Sequence, residues 1–319
     1  VEELGSRRRS RQSRSSPLSE RSEIVEHAIE VSELWKVYSK ADVDVDVEDE
    51  DLIASLDASS EAVVAVRDVT FAVEPGEVFI VMGLSGSGKS TLIRCLLRLV
   101  ETSWGSIKIN GQEVTAMNKK ELTEFRRSQA AMVFQHYGLL PHRTVVENVA
   151  FGLKLRGVSK KERREHAMET LKIVGLQDWG DYYPASLSGG MRQRVGIARA
   201  LVADPPVLLM DEPFSGLDPL IRREMQDELT RLQEEMHKTI FFVTHDLDEA
   251  MRLGDRMAVM KSGEIVQIGR PAEVFANPAD KYVARFVQDK RDEIRKTDEQ
   301  MAALQGKTED AKAVNDDVS

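Results

Sequence analysis

The chain of 319 residues carries a single cysteine, Cys95, so no internal disulfide can staple it. Cys95 stands in the apolar stretch TLIRCLLRLV and reads as a small core residue, as expected in a reducing compartment. Long hydrophobic runs are missing too. The most apolar segments, such as TIFFV, stop after about five residues, whereas a membrane span needs roughly 18. No apolar signal-peptide core stands near the start of the sequence. These absences predict a soluble chain. An excess of base is also lacking: 44 Lys and Arg face 54 Asp and Glu, a net charge of −10, which argues against a general nucleic-acid binder. No internal repeat is apparent, and the length allows one large domain or two modest ones, with enough chain for a substantial core.

What the sequence does contain is a phosphate cradle. GLSGSGKS fits the pattern G-x-x-x-x-G-K-[ST], with Gly83, Gly88, Lys89 and Ser90 in the fixed places. Glycines there let backbone N–H groups turn toward phosphate oxygens. Lys89 is placed to reach the β and γ phosphates of ATP, and the Ser90 hydroxyl to ligate Mg²⁺. Ser85, Gly86 and Ser87 complete the loop, and Thr91 follows it. A chance glycine turn is the alternative, but the context is right: VFIVM before it reads as a buried strand and Thr91 to Val100 as a helix whose N-terminus faces the phosphates.

A second apolar strand, VLLMDE, ends in two carboxylates, Asp211 and Glu212. Ordinary strands also end in acids, yet beside a phosphate cradle Asp211 suits a Mg²⁺ anchor and Glu212 a base for the attacking water. About a hundred residues after the cradle, LSGGMRQR opens a helix with Ser188, Gly189 and Gly190. Such a helix start favours an anion, here the phosphates held by a neighbouring subunit.

With these motifs in order, the chain resembles the nucleotide-binding subunits of ABC transporters over about Ile29 to Gln288. The resemblance assigns Gln135, in MVFQHYGLLPH, to the glutamine loop that senses Mg²⁺. It makes Ser188, Gly189 and Gly190 the signature, Ser215 to Asp218 the loop that couples two sites, and His245, in FFVTHDLDEA, the switch histidine. Taken singly, such a Gln or His is ordinarily structural. An aromatic near the first strand stacks on adenine in this family; Tyr38 is the first candidate and Trp35 the second, and core packing is the alternative for either. The implied fold is α/β: a P-loop NTPase with a RecA-like core around a parallel sheet, an antiparallel β subdomain and an inserted helical subdomain. The implied ligands are ATP and Mg²⁺, and the implied assembly is a homodimer of ATPase subunits on transmembrane permease subunits at the cytoplasmic face of the membrane, served indirectly by an extracytoplasmic solute-binding protein. The segment after Gln135 is then the groove for a permease helix.

The phrases DPLIRREMQDEL and HDLDEAMRLGDR narrow the resemblance to importers of glycine betaine and related quaternary amines. An importer for another small solute, an amino acid or a polyamine, is the alternative within transporters. A ribosome-associated ABC protein usually joins two cassettes, and only one is present. A DNA-repair ATPase needs a long coiled coil between cradle and signature, for which the spacing leaves no room.

Around the ATPase domain, 29–288, the sequence predicts three polar additions. Residues 1–28, with Arg7, Arg8, Arg9, Arg11 and Arg14, read as a disordered basic arm, or one that touches anionic lipid. Residues 39–62 form an acidic insertion, read as a solvent-exposed loop; it lacks the Asp/Asn-Gly pattern of a Ca²⁺ loop. Residues 289–319 read as a charged tail, too short for the paired regulatory modules that family members often carry. A helical subdomain is expected over about 136–203.

Overall fold

The computed structural model describes residues 27–39, 62–135 and 137–289. The expected arm, insertion and tail therefore lie outside the described residues, except at their edges. The chain opens on a long antiparallel pair, β1 (Ile29–Ser39) and β2 (Ala62–Val73), in which Ile29 faces Val73 and Ser39 faces Ala62. The acidic segment thus leaves and returns at paired neighbours. Next come β3 (Val78–Gly83), the cradle and α1 (Lys89–Leu96). β4 (Trp104–Ile109) and β5 (Gln112–Glu113) form a hairpin through Asn110 and Gly111, whose φ values of 48° and 71° suit a type I′ turn. The first sheet has the order β2-β1-β4-β5.

Helix α2 (Lys119–Ser128) starts at a capping box of Asn118 and Glu121 and leads into β6 (Ala130–Val133). The chain is then helical: α3 (Val145–Val149), α4 (Phe151–Leu155), α5 (Lys160–Ile173) and α6 (Gly189–Leu201) precede β7 (Val207–Asp211). Strands and helices alternate from there through α7 (Pro219–Met236), β8 (Thr239–Val243), α8 (Leu247–Leu253) and β9 (Arg256–Lys261), and β10 (Glu264–Gly269) and α9 (Pro271–Ala276) follow. The second sheet runs β10-β9-β3-β8-β7-β6 and is parallel except for the β9–β10 edge.

The unbroken apolar runs of β3, β7 and β8 follow from this position, since a central parallel strand is covered on both faces. In β3, Ile80 and Met82 join a core on the side of α3 to α8, and Phe79 and Val81 join one beneath the antiparallel sheet. Phe71 of β2 stacks on Phe79 and Phe241 with ring centroids 5.3 and 5.6 Å apart, which locks the two sheets together. The central strands therefore have little freedom to shift, and the loops at their ends are held firmly.

One expected element is shorter than its apolar pattern. The helix after the cradle ends at Leu96, not Val100. Arg126 of α2 donates to the carbonyls of Leu97 and Arg98 at 2.8 and 2.5 Å. Arg98 adopts φ 47° and sends its own guanidinium to the carbonyls of Val114 and Met117. Arg126 thus satisfies carbonyls just past the helix end from another element, while the left-handed backbone at Arg98 turns the chain away.

Candidate nucleotide-binding site

The carboxyl ends of β3, β7 and β8 open onto one cleft of about 590 Å³, the size range of small-molecule sites. Its lining includes Gly83, Ser85, Gly86, Gly88, Lys89, Ser90 and Thr91 from the cradle, and Gln135, Glu212 and His245 from the facing loops. Two glycines serve different ends. A Cβ on Gly88, at φ 102°, would stand 2.1 Å from the Ala65 carbonyl, so this glycine lets the cradle pack on β2. Gly86, at φ 79°, meets nothing within 4 Å, so its left-handed turn leaves the cleft side open.

Lys89 is 6 % exposed, and its Nζ donates to the carbonyls of Gly83 and Leu84, both at 2.9 Å, and to Ser87 Oγ at 3.4 Å. The loop thus holds the ammonium inside its own ring. Burial pulls its pKa down, while Glu212 and Asp211 push it back up. The Ser90 hydroxyl donates to Asp211 Oδ1 at 3.1 Å. Asp211 is fully buried, and its Oδ2 has no hydrogen-bond partner, the Arg94 guanidinium standing 3.7 Å away. Burial raises its pKa, although the Ser90 hydrogen bond and Arg94 oppose the shift. A buried carboxylate oxygen left over beside a serine hydroxyl is the donor set a hard divalent cation takes, so the residues fit Mg²⁺.

Glu212 adopts φ 48°, which costs a non-glycine residue about 1–2 kcal/mol and turns its side chain off the strand axis. Its backbone is fixed by its N–H to Val243 and by the Ser215 hydroxyl on its carbonyl. Its Oε2 lies 3.2 Å from His245 Nδ1 and accepts from Gln135 Nε2 at 3.3 Å. The His245 hydrogen bond, first, and the positive charges of His245 and Lys89 hold its pKa below the usual carboxylate value, against burial. Three loops far apart in sequence therefore converge on one ionised carboxylate.

Other sequence candidates lie elsewhere. Tyr38 is 44 % exposed on β1, opposite Val63, with Lys36 Nζ 4.8 Å above its ring; Val63 lines the cleft and Tyr38 does not. Trp35 is buried, with the Arg67 guanidinium 5.7 Å over its ring, and reads as core packing. Ser188 caps α6, its hydroxyl accepting from the Met191 N–H at 3.3 Å, and Gly189 and Gly190 form the first turn. A Cβ on Gly190 would meet Leu217 at 3.1 Å. Asp218 caps α7 by accepting from the Ile221 N–H at 3.0 Å. None of these four lines the cleft of its own chain. Conversely, sequence patterns do not single out Val63, Val64, Ala65 and Leu84, which line the cleft. No local motif marks the first three; Leu84 is a variable position inside a recognised one.

A sequence model described as ABC transporter matches residues 66–215. The glycine betaine transport ATP-binding protein OpuAA of Bacillus subtilis is 57% identical over 226 residues, 71% of this chain and 54% of that protein. The trimethylamine N-oxide transport system ATP-binding protein TmoW of Pelagibacter ubique is 53% identical over 227 residues, 71% of this chain and 67% of that protein. The chain thus spans little more than half the length of several curated relatives it matches. Among solved structures, the ATP-binding cassette MJ0796, a dimer in a post-hydrolysis state bound to ADP and Pi, superposes with a TM-score of 0.67 at 32% identity, covering 76% of this chain and 98% of that one. The fold is that of a P-loop NTPase, and the chain belongs to the ABC transporter ATP-binding family.

Proposed function

We propose that this chain is the ATP-hydrolysing subunit of an importer for glycine betaine or a related quaternary amine, and that it works as a pair of identical subunits. The observation that carries the hydrolytic part is the convergence of Lys89, Gln135, Glu212 and His245 at one cleft, with Asp211 buried behind it on the Ser90 hydroxyl. Lys89 and the loop amides around it bind and orient the phosphates. Glu212, kept ionised by its neighbours, orients the attacking water and takes its proton at a carboxylate oxygen. His245 holds that carboxylate and the attacked phosphate in register, and Gln135 links the carboxylate to the metal position. Ser90 and Asp211, with Gln135, would hold Mg²⁺, which would supply neutralisation of phosphate charge. Tyr38, exposed at the rim beside Val63, is the group for adenine to stack on.

Ser188, Gly189, Gly190 and Asp218 serve the cleft of a second copy, because helix α6 presents its N-terminus at the surface and away from its own cleft. Closure of the pair then depends on ATP, and hydrolysis reopens it. No described helix is long and apolar enough to cross a membrane; in this reading the power stroke reaches solute through separate permease subunits, with this chain peripheral at their cytoplasmic face. The cassette in this reading is 29–288, with α3 to α6 as its helical subdomain and the polar arm, insertion and tail as additions.

Cargo rests on kinship. Relatives named for glycine betaine and for trimethylamine N-oxide share more than half of their aligned residues with this chain, and both solutes carry three methyl groups on one nitrogen. The test is reconstitution in liposomes with the permease and binding protein encoded beside this chain, followed by ATPase and uptake assays over a solute panel. Stimulation by glycine betaine or proline betaine is expected. Stimulation by polyamines or ordinary amino acids alone overturns the cargo and leaves the ATPase standing.

A further inference from the structure

The loop ending in Asp218 and the loop carrying His245 are tied together by an ion pair that the reading above leaves unused. Asp246 follows His245 and caps α8, its Oδ1 accepting from the N–H groups of Asp248 at 2.9 Å and Glu249 at 3.4 Å. Its second oxygen, Oδ2, accepts from the guanidinium of Arg222 at 2.9 Å. Arg222 stands in the first turn of α7. Its backbone N–H donates to the Asp218 carbonyl at 2.9 Å, and its guanidinium reaches the Leu217 carbonyl at 3.4 Å. Thr244, on the other side of His245, accepts from the Asp246 N–H at 3.0 Å and donates to the buried Glu249 at 2.5 Å. The backbone on both sides of His245 is therefore pinned.

Arg222 is badly placed on local grounds alone. A cation in the first turn of a helix opposes the helix dipole, and the Arg222 Nε is buried without a hydrogen bond. Its partly buried pairing with Asp246 is what offsets that cost. A second link between the same helices, Arg252 to Asp227, lies further along at exposed side chains and touches neither loop. Helix packing thus has its own ion pair, and the Arg222 pair is left with the two loops.

We propose that Arg222 is a positioning residue which, through Asp246, transmits the position of the 215–218 loop to the His245 imidazole. Whatever seats Asp218 then also sets His245 against Glu212. The inference rests on the ATPase reading above and adds to it the route by which one site informs the other.

The experiment compares steady-state ATPase activity of the full chain with Arg222→Gln, Asp246→Asn, the double variant and Arg252→Gln, each checked by thermal unfolding. Asn retains the helix cap while losing the charge, so Asp246→Asn folds even if Arg222→Gln does not. Each single variant is expected to lose about tenfold in kcat with KM for MgATP within about twofold. The double variant should be no worse than either single one, because both remove the same link. Arg252→Gln should keep the wild-type rate. Wild-type turnover in Asp246→Asn overturns the inference, as does a double variant whose losses multiply, or an Arg252→Gln variant equally impaired. A wild-type chain without turnover sinks the ATPase reading and this inference together; wild-type rates in all variants sink the inference alone.

Discussion

The cleft at the ends of β3, β7 and β8 and the edge formed by Ser188 and Asp218 both use loops that run into helix N-termini, yet they treat their polar groups in opposite ways. In the cleft, Ser90 holds Asp211, and Gln135 and His245 hold Glu212, across large sequence separations, around a Lys89 that is bonded within its own loop. At the edge, Ser188 and Asp218 are exposed, and the bonds that fix them stay within their own helix starts. One region is a chemical site assembled inside the chain. The other presents a helix start with nothing of its own chain to act on, the arrangement of half a site.

The largest expected effect tests the cleft side of that contrast. Glu212→Gln should lower kcat by about 10²–10⁴-fold while leaving ATP affinity intact, since it keeps size and hydrogen bonding and removes only the base. Single-turnover hydrolysis alongside nucleotide binding checks it, and an undiminished rate breaks the assignment. Ser188→Arg probes the edge. It should lower turnover by about 10²-fold with ATP affinity unchanged in the separate subunit, because the arginine fills the phosphate-facing turn of another copy's site. An affinity loss there would erase the distinction between the two regions. Lys89→Ala should do the reverse and weaken ATP binding by about 10- to 100-fold, as fits the loss of charge-assisted hydrogen bonds to phosphate. Fluorescent-nucleotide titration separates these last two outcomes.

The smallest expected effect on turnover comes from behind the cleft. Glu249 is 3 % exposed, and burial pushes its carboxyl up to about 7, with Asp246 adding to the shift and Thr244, Arg222 and His245 opposing it. An acid whose folded pKa is raised binds more protons folded than unfolded, so stability falls as pH rises from about 4.5 through about 7. Glu249→Gln should therefore match the wild type near pH 4 and exceed it near pH 8 by up to roughly 3 kcal/mol, since each tenfold change in proton affinity is worth about 1.4 kcal/mol. Urea unfolding at the two pH values checks this. Equal differences at both would show that the carboxyl is ionised throughout.

How much of this was legible in the sequence follows from the range of the forces involved. The cradle is a contiguous string whose steric demands are local, so its residues could be named from spacing alone. The Asn110-Gly111 turn between β4 and β5 is local in the same way, since the dipeptide itself supplies the left-handed backbone a tight hairpin needs. The end of α1 was not legible, because the carbonyls just past it are taken by Arg126 of α2, reached from another element. Sequence ranked Tyr38 ahead of Trp35 only through resemblance; that Trp35 is buried under the Arg67 guanidinium depends on contacts no window of sequence contains. The Arg222–Asp246 pair spans 24 residues and exists only because α7 and α8 pack together, so no window of sequence contains its cause.

The central claim is that cleft and edge are complementary halves which meet only between two copies. Light scattering of Glu212→Gln with and without MgATP tests it most directly, because this variant binds nucleotide and cannot discharge it. The account predicts a doubling of molar mass on adding ATP, reversed by exchange into ADP and abolished by adding Ser188→Arg. A chain that binds ATP yet keeps a single-subunit mass at concentrations well above its nucleotide affinity would contradict it.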